Sequence, residues 1–313
     1  MYKKMKNRII SLDIVRCLCV LYIVSFWHMG DYIKSSYPAI FSDVTTGVLA
    51  TFTFISGLFL GKKRMPVLTF YKKRLSRFFF LFLISCLSFY VFGSIKNFTQ
   101  LCFTLTGLSC FIPPQPMTLW YFSMIIIFYM ITPWLNFNTN NNKNIFLRAV
   151  FSLILLVTLV NITGGDHRVS LMYCFYLLGY FTPVKTFQNT KSLGYLFVLM
   201  LAGGFLLLLG HYYEFKFLAS LGVCIFVSFL GVLLQECIPN IVKKCCVFLS
   251  YSSMSAYLFH RQVYGGVKHV FFSDGSAFPL WLVPILVVCL FGISYAIQVA
   301  YDYLINNFIL KKK

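Results

Sequence analysis

A carboxylate, a guanidinium and an imidazole share one apolar run: Asp13, Arg16 and His28 all fall within residues 10–29, a stretch long enough to cross a bilayer as a helix. Ionisable groups are rare in such segments. A carboxylate or guanidinium there costs roughly 2.5–3.5 kcal/mol on insertion scales, so each is read as a functional group whose partner must be named. Asp13 and Arg16 stand three positions apart, which puts them on one helix face where each offsets the other's charge. His28 adds a group whose ordinary pKa of about 6.5 suits proton transfer near neutral pH. The trio therefore offers proton removal by an imidazole and charge stabilisation by a nearby cation. A plainer reading also fits: Asp13 favours the positive N-terminal end of the helix, Arg16 reaches back to the headgroups, and His28 is a wet residue at the far end.

The elements that must hold these residues are membrane helices. Of 313 residues, 59% are hydrophobic and 11% charged, against roughly 45–50% and 25% in soluble domains. A net charge of +19 would point to nucleic acid if the cations lined a groove, but they fall in short gaps between apolar runs. Positive-inside topology accounts for them, and no nucleic-acid partner is expected. Of the eleven cysteines, Cys17, Cys19, Cys86, Cys174, Cys224 and Cys289 sit inside apolar runs as small core hydrophobes. Cys245-Cys246 and Cys17-x-Cys19 lack zinc-site spacing and histidine partners, so no metal site is expected. Lys3, Lys4, Lys6 and Arg8 ahead of the first run imitate a signal peptide. That run has spanning length and no small-residue cleavage site, so it is expected to stay as the first span.

Apolar runs at 10–29, 44–60, 78–95, 118–135, 146–162, 169–181, 193–210, 217–234, 247–264 and 278–304 predict an all-α, polytopic bundle of about ten transmembrane spans, with a single membrane domain over residues 1–313. Residues 101–112 are apolar but too short to cross, and Pro113-Pro114 stops them, which predicts a re-entrant or interfacial piece. With the N-terminus in the cytoplasm, about 20 Lys and Arg fall on that side and about 6 on the other. Both termini are thus expected to be cytoplasmic, with His28 toward the outer half of its helix. Gly164-Gly165-Asp166-His167 reads as a turn between spans and Gly203-Gly204 as packing within one.

Several stretches, in order along nearly the whole chain, resemble acyltransferase family 3, the integral-membrane O-acyltransferases. Leu12-Asp13-x-x-Arg16 leading to His28 is similar to the family's opening Leu-Asp-x-x-Arg helix with its essential histidine. Ser56-Gly57, preceded by Phe54-Ile55, is similar to the Ser-Gly of its Phe-x-x-Ser-Gly, and Lys73-Arg74-x-x-Arg77 to its basic Lys-Arg-x-x-Arg. Leu119-Trp120-Tyr121-Phe122 followed by Tyr129-x-x-Thr132-Pro133 resembles the fourth helix, and Tyr257-Leu258-Phe259-His260 a late span that usually reads Tyr-Leu-x-His-Pro.

Two departures bear on the site. Ten residues usually separate the arginine from the histidine, whereas eleven separate Arg16 from His28. At about 100° per residue the extra one swings His28 off the shared face. A single π-bulge would restore it; otherwise His28 sits elsewhere or past the helix end. Arg261 stands where the family has proline, which leaves the role of His260 open.

The resemblance implies acyl transfer from a thioester to a hydroxyl, with His28 as the base, Arg16 stabilising charge or holding the thioester arm, and Asp13 fixing Arg16. Arg74 and Arg77 would bind the phosphates of an acyl-coenzyme A donor from the cytoplasm, since guanidinium meets phosphate bidentately. Lys62, Lys63, Arg64 and Lys72 are left to anionic lipid. Ser56, Trp120 and His260 complete the expected site as substrate-binding residues. Ser56-Gly57 equally serves as small-residue packing, and Trp120 with Tyr121 equally forms an interfacial belt. His269 and Asp274 match the His-x-x-x-x-Asp spacing of another class of lipid acyltransferases, but the topology puts that loop outside, away from cytoplasmic thioester. The expected function is an inner-membrane O-acyltransferase that moves an acetyl or other short acyl group from acyl-coenzyme A to a surface or exported glycan, with no permanently bound cofactor. The alternative is a translocator of lipid-linked or nascent polysaccharide without acyl transfer. The oligomeric state is left open.

Overall fold

The computed structural model describes residues 8–60, 65–137, 141–188, 192–272 and 276–309. Lys3, Lys4, Lys6, Lys62, Lys63, Arg64 and Asp274, all weighed above, lie outside the described residues.

Every apolar run falls on a helix, and no strand occurs among the described residues. Six helices are long and apolar enough to cross a membrane: α1 (Ile10–Ile33), α2 (Ile40–Leu60), α7 (Asn142–Thr163), α9 (Leu193–Tyr212), α10 (Lys216–Cys237) and α12 (Leu282–Leu304). Two others, α3 (Val67–Leu75) and α4 (Phe79–Val91), pass that measure only together and meet at a 50° bend. The remaining expected spans narrow for physical reasons. α6 (Leu119–Leu135) has 17 residues and α8 (Arg168–Phe181) has 14, short for a bilayer core. α11 (Asn240–Phe271) runs for 32 residues, but its serines, His260, Arg261 and Gln262 keep it polar. Residues 101–112 form α5 (Phe98–Thr106) and a single 3-10 turn, Leu108–Cys110, ahead of the prolines.

Short polar residues fix the helix ends. Asn97 and Asn141 accept from backbone N–H groups in the first turns of α5 and α7. α7 stops at Gly164, whose φ of +65° is the left-handed conformation a helix C-terminus favours. The expected turn between spans follows there. α2 runs through the middle of the bundle against α8 and α10, while α1 lies between α10 and α11. Burial separates protein-facing from lipid-facing helices: 72% of the apolar window of α2 is enclosed, but only 17% of that of α9.

α2 and α8 cross backbone to backbone. A Cβ on Gly57 would stand 2.0 Å from the Tyr176 carbonyl oxygen, and one on Gly179 would stand 1.9 Å from that of Phe54. Small residues admit such contact between membrane helices, so Gly57 has the packing role its sequence context allowed. Gly57→Val is expected to lower the melting temperature of the detergent-solubilised protein, since overpacking typically costs about 1–3 kcal/mol. Gly204→Ala, with nothing within 4 Å of its added Cβ, should leave it unchanged. From this crossing α8 presents Tyr173, Tyr176 and Tyr180 along one face. Their hydroxyls pair with Ser152 at 2.8 Å, with Thr132, and with Asn136 at 2.6 Å.

Candidate active site

The site is organised by α1. Between Arg16 and His28 the helix passes through a π-helical segment, Tyr22–Trp27, and the backbone N–H of His28 bonds the Ile23 carbonyl five residues back. This wider turn takes up the surplus residue, and π-segments of this kind are common at functional sites. His28 is thereby turned inward. Its ring stacks on His260 of α11, with centroids 4.7 Å apart and planes 3° from parallel, and Tyr257 meets it edge-on at 6.3 Å.

The partner face of α11 carries Tyr257, His260, Arg261 and Tyr264 at helical positions i, i+3, i+4 and i+7, which share one side. His260 is fully buried, and its Nδ1 lies 2.7 Å from the Tyr257 carbonyl. A carbonyl only accepts, so this bond puts the proton on Nδ1 of the neutral ring and the lone pair on Nε2. That Nε2 is buried without a partner, as is His28 Nδ1. Arg261, in place of the family's proline, keeps α11 continuous and pairs through Nη2 with Asp31 of α1 at 3.2 Å. Tyr32 donates to the Arg261 carbonyl at 3.3 Å, a second tie between the two helices.

At the opposite end of α1, Asp13 departs from the expected pairing. Its Oδ1 accepts from Ser250 at 2.7 Å and its Oδ2 faces Arg8 at 3.8 Å. Arg16 lies instead over the Phe59 ring, 4.9 Å from the centroid, feeling Asp13 only through space. The reason is positional: Ser250 and Arg8 reach the carboxylate directly, whereas the Arg16 side chain extends toward α2 and α6. There the Tyr129 phenol comes within hydrogen-bonding reach of Ser56 and within the fields of Arg74, Arg16 and Arg77. Arg74 is half-buried and Arg77 exposed; α3 carries the first, and the second sits in the bend between α3 and α4. None of these three arginines makes an ion pair among the described residues. Arg74 and Arg77 repel each other, Arg16 joins them within the field of the same phenol, and a bound anion would offset this gathered positive charge.

Arg16 and His28 are twelve positions apart, which is about 18 Å along a helix axis. Tyr121, buried beneath Thr53 at 3.4 Å, links the two ends: it lies near Arg16 and Tyr129 on one side, and its ring centroid is 5.7 Å from that of Tyr257 on the other. Trp120 is buried rather than set out as a platform, and the Arg168 guanidinium covers one face of its ring at 4.0 Å. Arg168 also acts on Tyr257 through space.

Of the residues singled out by sequence, the structure brings His28 to His260 and groups Arg16, Arg74, Arg77 and Ser56 around Tyr129. Asp13 and Trp120 serve neighbours of their own. Tyr121, Asp31 and Arg168 were not singled out as site residues. Arg168 and Asp31 read locally as loop charges, and only the spacing of Tyr257, His260 and Arg261 hinted at a shared face. His269 is exposed, and its spacing partner Asp274 is outside the described residues. No group of three or more His, Cys, Asp or Glu able to hold a metal ion occurs among the described residues.

A family model described as an acyltransferase domain matches residues 9–299. No curated protein and no solved structure matches the chain.

Proposed function

Because the chain belongs to acyltransferase family 3, we propose that this multi-pass membrane protein transfers an acetyl or other short acyl group from acyl-coenzyme A to a hydroxyl of a cell-surface or exported glycan. The observation that carries this reading is the pair of unlike centres that α1 joins: stacked imidazoles with unpartnered nitrogens around His28, and around Arg16 three arginines without carboxylates among the described residues. The arginine centre suits the phosphates of the donor, which guanidinium binds in bidentate fashion. The aromatic stretch between the centres leaves the extended arm of the donor to carry its thioester toward His28.

At the imidazole centre, His28 takes the acceptor proton as the hydroxyl oxygen bonds to the thioester carbonyl carbon. The carbon–sulfur bond then breaks, and the departing thiolate collects that proton, so the products are an ester and coenzyme A thiol. His260 and Ser56 bind and orient substrate, Trp120 backs the acceptor side through Arg168, Arg16 steadies the developing charge, and Asp13 holds the helix end that carries Arg16. Ten spans in the inner membrane, as one domain with both termini cytoplasmic, would give donor and acceptor opposite faces of approach.

Incubation of the purified protein with labelled acetyl-coenzyme A tests the proposal, with donor-dependent thioester turnover as the expected result. Glycan movement without any turnover would favour a translocator instead. Replacing both Arg74 and Arg77 by alanine should raise KM for the donor at least tenfold and change kcat much less. Each charge-assisted hydrogen bond is worth about 1.5–3 kcal/mol, and these contacts persist from ground to transition state.

A further inference from the structure

The two centres differ in whether each guanidinium has a carboxylate of its own. Arg16, Arg74 and Arg77 have none within ion-pair distance among the described residues. At the imidazole centre both arginines are matched. Arg261 pairs with Asp31 at 3.2 Å, and Arg168 grips Asp166 with Nη2 at 2.6 Å and with Nε at 2.8 and 3.0 Å from its two oxygens. Lys268, two turns beyond Arg261, rests its ammonium over the Tyr32 ring, 5.7 Å from the centroid. What remains unmatched at this centre is uncharged or single: His28 Nδ1, His260 Nε2 and Arg261 Nε, all buried without a partner.

His260 Nε2 needs a donor and Arg261 Nε needs an acceptor, and a hydroxyl supplies both. They do not ask for net charge. A carboxylate or phosphate brought here would compete for Arg261 with Asp31, which reaches the mostly buried guanidinium from the exposed side, and would lie beside it as a like charge. Resting on the acyl-transfer reading above, we infer that the acceptor is an uncharged hydroxyl compound, a neutral sugar residue, and that Asp31 enforces this choice by occupying Arg261. Asp31 is thus a specificity-determining residue that acts through Arg261 and takes no part in proton transfer. The family's proline could not form this pair, so the device belongs to this chain's own departure from the pattern.

The test uses the full chain in proteoliposomes with labelled acetyl-coenzyme A and two cello-oligosaccharide probes with the same linkage and the same hydroxyls, a neutral one whose C6 is a carboxamide and an oxidised one whose C6 is a carboxylate. Label is expected on the neutral probe at least tenfold faster than on the oxidised one. Asp31→Asn should narrow that ratio at least fivefold by freeing Arg261 for a carboxylate, and Asp31→Glu should restore it; a merely structural contact would alter overall rate without altering the ratio. Equal or faster labelling of the oxidised probe, or a ratio that Asp31→Asn leaves unmoved, overturns the inference. Thioester hydrolysis with no transfer to either probe overturns the neutral-sugar acceptor while leaving donor chemistry intact. Absence of any thioester turnover removes the acyl-transfer reading itself.

Discussion

His28→Ala is expected to lower acyl transfer by about 10²–10⁴-fold while the protein still inserts in the membrane. That range is the usual contribution of a general base positioned on the proton it removes. The loss should fall mainly on kcat, because the proposed role of the imidazole lies in the transition state and the arginines proposed for the donor begin at Arg16, about 18 Å away along α1. His260→Ala makes the informative companion. If His260 only packs against His28, the variant should lose stability and little turnover. If it orients substrate through its free Nε2, KM for the acceptor should rise. Glycan ester content measured by NMR in cells carrying each variant, against membrane-fraction protein levels, separates these outcomes. Unchanged ester content in His28→Ala would remove the proposed base.

A second large effect is expected from register alone, with no functional group touched. Inserting one alanine after Ile23 adds a residue that the π-segment has no room to absorb, and it should rotate His28 by about 100° away from His260. Transfer should then fall as far as in His28→Ala. Deleting Ser25 instead removes the surplus residue and lets α1 run as a plain α-helix with ten residues between arginine and histidine. Ser25 is only partly buried and its hydroxyl has no partner, so the deletion should keep transfer within about tenfold of the parent. Equal activity in the insertion and the parent would show that the facing of His28 is not set by this turn.

Sequence reading succeeded where a property belongs to one segment. Each apolar run became a helix because length and hydropathy are local. The choice between a π-turn and a displaced His28 was legible because counting residues between two motif positions requires no tertiary structure, and the helix takes the first. It failed where a property belongs to a pair. Asp13 meets Ser250 across 237 positions of chain, and nothing near Asp13 announces that partner. Arg168 over Trp120, and Asp43 bound by both His211 and Lys216, are likewise pairings between helices that no period within one helix encodes. Six of the ten expected spans meet the length and hydropathy of a crossing helix on their own, and the shortfall of the others is instructive. α11 carries buried serines and His260 on its inward face and α8 has only 14 residues, so two helices that contribute to the candidate site look little like membrane spans, whereas α1, which carries Arg16 and His28, does.

The 50° bend between α3 and α4 has a mechanical consequence. Arg16 rides on a helix anchored by Asp13 to Ser250 and by the Ser11 backbone to Gln235, whereas Arg74 and Arg77 straddle an elbow. On the proposed reading the three cations would grip the donor from two sides, one a helix tied down at its start and the other a bend in the chain. A polyanion bound by all three would draw Arg74 and Arg77 toward Arg16, so addition of acyl-coenzyme A is expected to register as a shortened span between probes on α3 and α10, even in a variant that can no longer carry out transfer.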